Sequence, residues 1–154
     1  RLYRWARPTV TLGRFQDAEA VLDLGGGRTV SVLATHLQHR NGEEEHGVRL
    51  TEIDEILAYR AGAPATMLVG DLNPKQGDAA DGYPPRVPGE FEEIARLLDA
   101  GFTTAQNMAS CDPPTSNDNC SDYILAGPGL AQAYFAVGDN FGDHRMLTAD
   151  VVWP

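Results

Sequence analysis

The residues best placed to do chemistry in this 154-residue chain begin with Asp71 and Asn73, at the end of the run Thr66-Met67-Leu68-Val69-Gly70-Asp71-Leu72-Asn73. Thr66 to Val69 is mostly apolar and too short for a helix, so it reads as a buried strand. Side chains at i and i+2 leave an extended backbone on the same side, so Asp71 and Asn73 can address one point in space. A carboxylate there can hold a cation or orient a water, and a carboxamide can donate to an anionic oxygen. The same residue types also make turns. Taken alone, the stretch reads as a turn before it reads as a site.

Other polar groups stand at comparable positions. Thr29 to Ala34, rich in β-formers, reads as a strand running into Thr35-His36-Leu37. A histidine at a strand end can act as acid or base near neutral pH, although by itself His36 reads as structural or solvent-facing. His39 and His46, in the polar stretch that follows, read as exposed. Asp122 opens a strand over Asp122 to Leu125, and Asp143-His144 precedes another over Arg145 to Val152, with one between them near Ala133 to Val137.

The elements that must position these groups alternate between strands and helices. Glu19 to Leu24 reads as a strand joined to Thr29–Ala34 by a hairpin at Gly25-Gly26-Gly27; no helix or Lys-Ser/Thr pair follows to make a phosphate loop. Glu43 to Arg60 carries Leu50, Ile53, Ile56 and Leu57 at helical spacing, acidic at its start and basic at its end as the helix dipole favours. Gly62 and Pro64 close it. Glu90 to Ala100 is a second amphipathic helix, with Phe91, Ile94, Leu97 and Leu98 on one face and Gly101 as its stop. Between Asn73 and this helix lies the long loop Pro74 to Gly89, and loops of that length in a compact domain are often functional. Arg1 to Gln16 has no clean period and reads as a lid, a loop or the scar of truncation. Phe102 to Ser121 is irregular and polar. The interleaving implies an α/β sandwich.

Composition narrows the function. The length suits one domain with a real core. The net charge is −10 and Lys75 is the one lysine, which argues against strong non-specific nucleic-acid binding through phosphate neutralisation. A phosphate substrate stays open, because a metal ion can supply local positive charge. No apolar run approaches the roughly 18 residues needed to cross a bilayer, and no signal peptide is visible. The chain begins at Arg1, which implies a processed or excised piece. Cys111 and Cys120 lie close together in a polar loop and read as a disulfide or as two unrelated thiols; a two-cysteine zinc site lacks further ligands nearby. A bridge would favour an oxidising, extracytoplasmic or secreted location.

The four motifs Thr35-His36-Leu37, Gly70-Asp71-Leu72-Asn73, Ser121-Asp122-Tyr123-Ile124 and Gly142-Asp143-His144-Arg145, in this order, resemble the second half of the endonuclease/exonuclease/phosphatase family, metal-dependent phosphoesterases similar to DNase I. The resemblance runs from about Phe15 to Val152. It implies an α/β, DNase I-like sandwich of which residues 1–154 form a single partial domain: one mixed sheet with two main helices on one face. It further implies that His144 acts at the scissile phosphate with Asp122 orienting its ring, that Asp71 positions the attacking water or a metal, and that Asn73 donates to a phosphate oxygen. Asp143 would be a metal ligand or lie just behind one, and His36 would bond the phosphate or protonate the leaving oxygen. Magnesium suits such oxygen donors, with manganese second.

The departures carry their own expectations. The family's first half supplies an asparagine, a glutamate that is the main metal ligand, and an acid partner for the histidine matched to His36. No counterpart precedes Phe15, so the missing N-terminal half is an implied partner. The isolated chain is then expected to bind metal weakly, to turn over little phosphodiester or phosphomonoester, and to self-associate through an uncovered sheet face. Gly142 stands where the family has serine, and Cys120-Ser121 where it commonly has a basic residue. Those changes motivate the alternative of a non-catalytic interaction domain on the same scaffold.

Overall fold

The computed structural model of the chain describes residues 2–3, 17–40, 42–61, 65–77, 86–117 and 119–153. Its elements in chain order are β1 (Leu2–Tyr3), β2 (Asp17–Asp23), β3 (Thr29–His36), α1 (Glu43–Arg60), β4 (Thr66–Asp71), α2 (Glu92–Asp99), β5 (Asp122–Ala126), β6 (Ala131–Phe141) and β7 (His144–Val152), with a 3₁₀ turn at Pro88–Glu90 before α2. The first five strands form one sheet in sequence order. β3 and β4 are parallel and the other neighbours antiparallel. A parallel pair needs a long crossover, and α1 is that crossover, with the bounds its periodicity implies.

Alternation assigns the two faces of the sheet. Leu33, Leu68 and Leu125 are direct partners across β3, β4 and β5. They are buried against Ile53 and Ile56 of α1 and Ile94 and Leu97 of α2, with Phe91, Phe102 and Tyr123 completing the core. The neighbouring row, Val32, Met67 and Ala126, points the other way. It packs with Val30, Leu130 and Val151 of β7.

The last two strands correct the expectation of a single sheet. Among the described strands, β6 and β7 pair with each other and not with the main sheet, as a two-stranded ribbon on the face opposite the helices. Thr103 already exchanges both backbone hydrogen bonds with Ala126 on the outer side of β5, at 2.7 and 2.8 Å, so the edge that β6 would need is taken. The turn at Gly127, whose carbonyl accepts from the Leu130 amide at 3.0 Å, then carries the chain out of the sheet. The ribbon covers part of this face. Ala18, Ala20 and Leu22 of β2 face the same side as Ala34, Val32 and Val30 by register and are exposed, Leu22 at 47%.

Gly25–Gly27 make the expected hairpin, closed by the Leu24 amide on the Arg28 carbonyl at 2.9 Å. The middle of the Pro74–Gly89 loop (78–85), the helix-closing Gly62 and Pro64, and Arg1–Gln16 apart from β1 lie outside the described residues. Cys111 and Cys120 are bonded, with Cα atoms 5.6 Å apart. Replacing both with serine is expected to lower stability by about 2–3 kcal/mol, the loop-closure entropy returned to the unfolded chain; urea unfolding would measure it.

Candidate active site

Sheet register brings the candidate residues together. His36, Asp71 and Asp122 are successive cross-strand partners on β3, β4 and β5, so they form a row at one end of the sheet on the ribbon's face. His144, the first residue of β7, meets that row from the ribbon. Its Nδ1 lies 2.9 Å from Asp122 Oδ2, and His36 Nε2 lies 3.6 Å from Asp71 Oδ2. One ligand atom each from Asp71, Asp122 and His144 falls within 4.8 Å of the others. Residues up to 73 positions apart in sequence thus converge on a patch a single ion could span.

Two glycines explain how the backbone reaches this arrangement. Gly70 lies opposite Thr35 with φ +135°, and a Cβ there would meet the Thr35 carbonyl oxygen at 1.9 Å. No other residue type lets β4 sit this close to β3 just before Asp71. Gly142, with φ +72°, is the first central residue of the two-residue turn between β6 and β7. Hairpin turns of this length favour positive φ. Turn geometry therefore accounts for glycine where the resembled family has serine.

The strand end at Asp71 is a turn and a cluster member at once. Asp71 Oδ1 accepts the Asn73 amide at 3.0 Å, an Asx turn, while Oδ2 faces His36. Asn73 sits at φ +43° and donates Nδ2 to the Leu37 carbonyl at 3.1 Å. A carboxamide has two such protons, so a second remains for a ligand. Asp143 follows the turn glycine with its side chain 73% exposed, 3.9 Å from His144 Nε2. It stands beside the three-residue cluster, not in it.

Electrostatics sets the protonation preferences. Burial pushes the Asp71 carboxyl above its usual range and the Asp122 charge adds to this, against the opposing pull of the Asn73 amide and both histidines. The hydrogen bond that the His144 ring donates to Asp122 is the largest cause that raises His144 above 6.5. The sign for stability follows from linkage. For His144, raised in the folded state, the stabilisation is full below pH 6.5 and fades as pH rises through the folded value. For Asp71, also raised, the folded state disfavours the charged form, so the penalty appears as pH rises from 3.8 through the folded value. Both effects run the same way. Without added metal, the melting temperature is expected to fall as pH is raised through these ranges, and a His144→Ala/Asp71→Asn chain should show a flatter profile by calorimetry.

A buried network that motif reading did not find holds the loops behind the site. Arg49 of α1 and Glu93 of α2 are both fully buried and paired at 2.7 Å. Arg49 also donates to the Gln38 and Arg40 carbonyls, at 3.1 and 2.6 Å. Glu93 Oε1 accepts the Lys75 amide at 3.2 Å. The pair thereby fixes the chain leaving both His36 and Asn73. His46, expected to be exposed, instead lies between Glu93 and Glu92 at 2.9 and 3.2 Å. Its position on α1, three residues before Arg49, places it on the face that meets α2. His39 is exposed as expected.

No protein-family model and no curated sequence matches the chain. Solved structures do. The human Nocturnin catalytic domain with bound sulfate anion is similar at a TM-score of 0.64 and 18% identity, over 91% of this chain and 53% of that one. This is the DNase I-like fold of the endonuclease/exonuclease/phosphatase proteins. An endonuclease/exonuclease/phosphatase from Beutenbergia cavernae gives 0.64 and 18% over 90% and 39%. A protein of that family from Bacteroides thetaiotaomicron gives 0.63 and 14% over 91% and 56%. The chain thus spans about half the length of these DNase I-like structures, matching the half-fold that the motifs imply.

Proposed function

We propose that the chain is the second half of a metal-dependent phosphoesterase domain, hydrolysing a phosphodiester or phosphomonoester. The observation that carries this is the convergence of Asp71, Asp122 and His144 within 4.8 Å, from three strands in two sheets. The fold adds weight, since its neighbours include proteins named as endonuclease/exonuclease/phosphatase and one solved with a sulfate anion, a tetrahedral oxyanion like phosphate.

The donor set fits a hard divalent cation. Two carboxylates lie close enough that the Asp122 charge helps raise Asp71, a repulsion a cation would relieve. Asp71 and Asp122 would hold magnesium or manganese from this side, with Asp143 and His144 at its border. When bound, the ion supplies positive charge against the phosphate oxygens.

The chain's own residues do the rest. Asp122 on Nδ1 selects the His144 tautomer with a free Nε2 lone pair, the arrangement that makes an oriented imidazole a base. Nε2 then takes the proton of the attacking water or bonds a phosphate oxygen. Asp71 Oδ2 orients the water. His36, 62% exposed, is free to donate to the phosphate or to the departing oxygen, and the second Asn73 N–H supports a non-bridging oxygen.

Calorimetric titration with manganese at two pH values is the test. Weak binding that strengthens as pH rises through the Asp71 and His144 ranges is expected, because the ion competes with their protons. Binding that is absent at every pH, together with no turnover of bis(p-nitrophenyl) phosphate by the complete protein, would favour the non-catalytic scaffold. The exposed face of β2, with Ala18, Ala20 and Leu22, supports covering by the other half of the fold or by a second copy, which sedimentation at rising concentration would detect.

A further inference from the structure

Asp122 and His144 belong to different sheets, so no ladder of strand hydrogen bonds sets one against the other. A loop that looks irregular in sequence makes that connection. Thr115 is fully buried. Its Oγ1 accepts the backbone amides of Ser121 and Asp122, at 3.0 and 2.9 Å. Its own carbonyl accepts the Arg145 amide at 2.8 Å. One residue therefore grips the backbone at Asp122 and, through its other end, the backbone next to His144.

The rest of the loop reinforces the clip. The Ser116 hydroxyl and the Asn117 amide both donate to the Asp143 carbonyl, at 3.2 and 3.0 Å, and Ser116 and His144 form an isolated β-bridge. The Thr115 amide donates to the Asn119 carbonyl at 2.9 Å, and the Asn119 amide returns to Ser116. The Cys111–Cys120 bond closes the segment from outside. At the far end the sheets meet through side-chain packing, with Val151 against the cluster of Val30, Ala65, Ala126 and Leu130. Side-chain packing tolerates small slips that a 2.9 Å carboxylate–imidazole bond does not.

We propose that Thr115 is a positioning residue for the Asp122–His144 pair, locking the ribbon to the sheet at the site through its hydroxyl and its carbonyl. This rests on the phosphoesterase reading for its purpose and on the hydrogen bonds alone for its existence. The hydroxyl carries the specificity: valine has the same shape but leaves the Ser121 and Asp122 amides without an acceptor, whereas serine keeps the oxygen.

The experiment is imidazole ¹⁵N NMR of the 154-residue chain above the His144 titration, where the tautomer is read directly. The unsubstituted chain should show His144 as the Nδ1–H form that Asp122 selects. Thr115→Val should lose that signature, moving toward the Nε2–H form favoured by a free histidine side chain, and Thr115→Ser should restore it. A folded Thr115→Val chain that keeps the Nδ1–H signature overturns the proposal, as does its absence from the unsubstituted chain. Should Thr115→Val fail to fold, amide hydrogen exchange of Ser121 and Asp122 in the unsubstituted and Thr115→Ser chains decides: protection in both supports the clip, and exchange at the rate of an open amide in either overturns it. Absence of phosphoesterase turnover would strike the functional reading and leave these signatures untouched.

Discussion

Replacing His144 with alanine is expected to lower magnesium-dependent cleavage of a phosphodiester by about 10²–10⁴-fold in kcat, the usual worth of a positioned acid or base. The measurement belongs on the complete protein, with bis(p-nitrophenyl) phosphate as substrate. The side chain is 37% exposed and its ring bonds to Asp122 alone among the hydrogen bonds described. The loss should therefore come with little change in unfolding midpoint, which separates a chemical role from a structural one. Asp122→Asn tests the second half of the pair. An amide at the same position can present its NH₂ group to Nδ1 and so select the wrong tautomer. It should approach the alanine defect while leaving the ring in place. If His144→Ala retains more than about a tenth of wild-type kcat, the base assignment fails. The chain by itself should turn over little under the same conditions, and vigorous cleavage by it would refute the need for a second half of the site.

The candidate site residues and the fold were legible in the sequence to different depths. α1 could be bounded at both ends because its apolar spacing, acidic start and basic end all agree. β3 and β4 were found but ended early, at Ala34 and Val69, since nothing in a local pattern tells whether Thr35–His36 and Gly70–Asp71 continue a ladder. Pairing settles it: both extensions are partners of one another. The ribbon could not be separated from the main sheet by sequence, because the reason lies 23 residues away, where Thr103 occupies the edge beside Ala126. The row His36, Asp71, Asp122 is likewise a fact of register, which periodicity does not encode.

What the sequence left invisible is mostly polar and buried. Thr115 sits in a run of Ser, Asn, Asp and Pro that resembles any solvated loop, and only the enrichment in residues that bond local backbone hints at its role. Arg49 and Glu93 lie on helices whose periodicity marks only the apolar positions, yet both are wholly buried. Charged residues reach such positions only when paired. The pairing partner, 44 residues distant, is set by how α1 and α2 meet over the sheet.

That pair gives the largest stability prediction. Arg49→Leu removes the cation from a fully buried carboxylate and strips a donor group from the Gln38 and Arg40 carbonyls. Breaking one side of a buried pair costs about 3–5 kcal/mol, chiefly because the remaining charge stays out of water. For a domain whose total stability is roughly 5–15 kcal/mol this is a large share, and urea unfolding should show a lower midpoint at an unchanged slope. Glu93→Leu should cost a similar amount, since it leaves the buried guanidinium without its counter-charge and removes the acceptor of the Lys75 amide. The double replacement distinguishes a mutual pair from two independent anchors. If the charges mainly neutralise one another, Arg49→Leu/Glu93→Leu will be less damaging than the sum of the single changes by about 1–3 kcal/mol. Strict additivity would mean that each holds its own loop, Arg49 the chain after His36 and Glu93 the chain after Asn73, with the ion pair between them contributing nothing of its own.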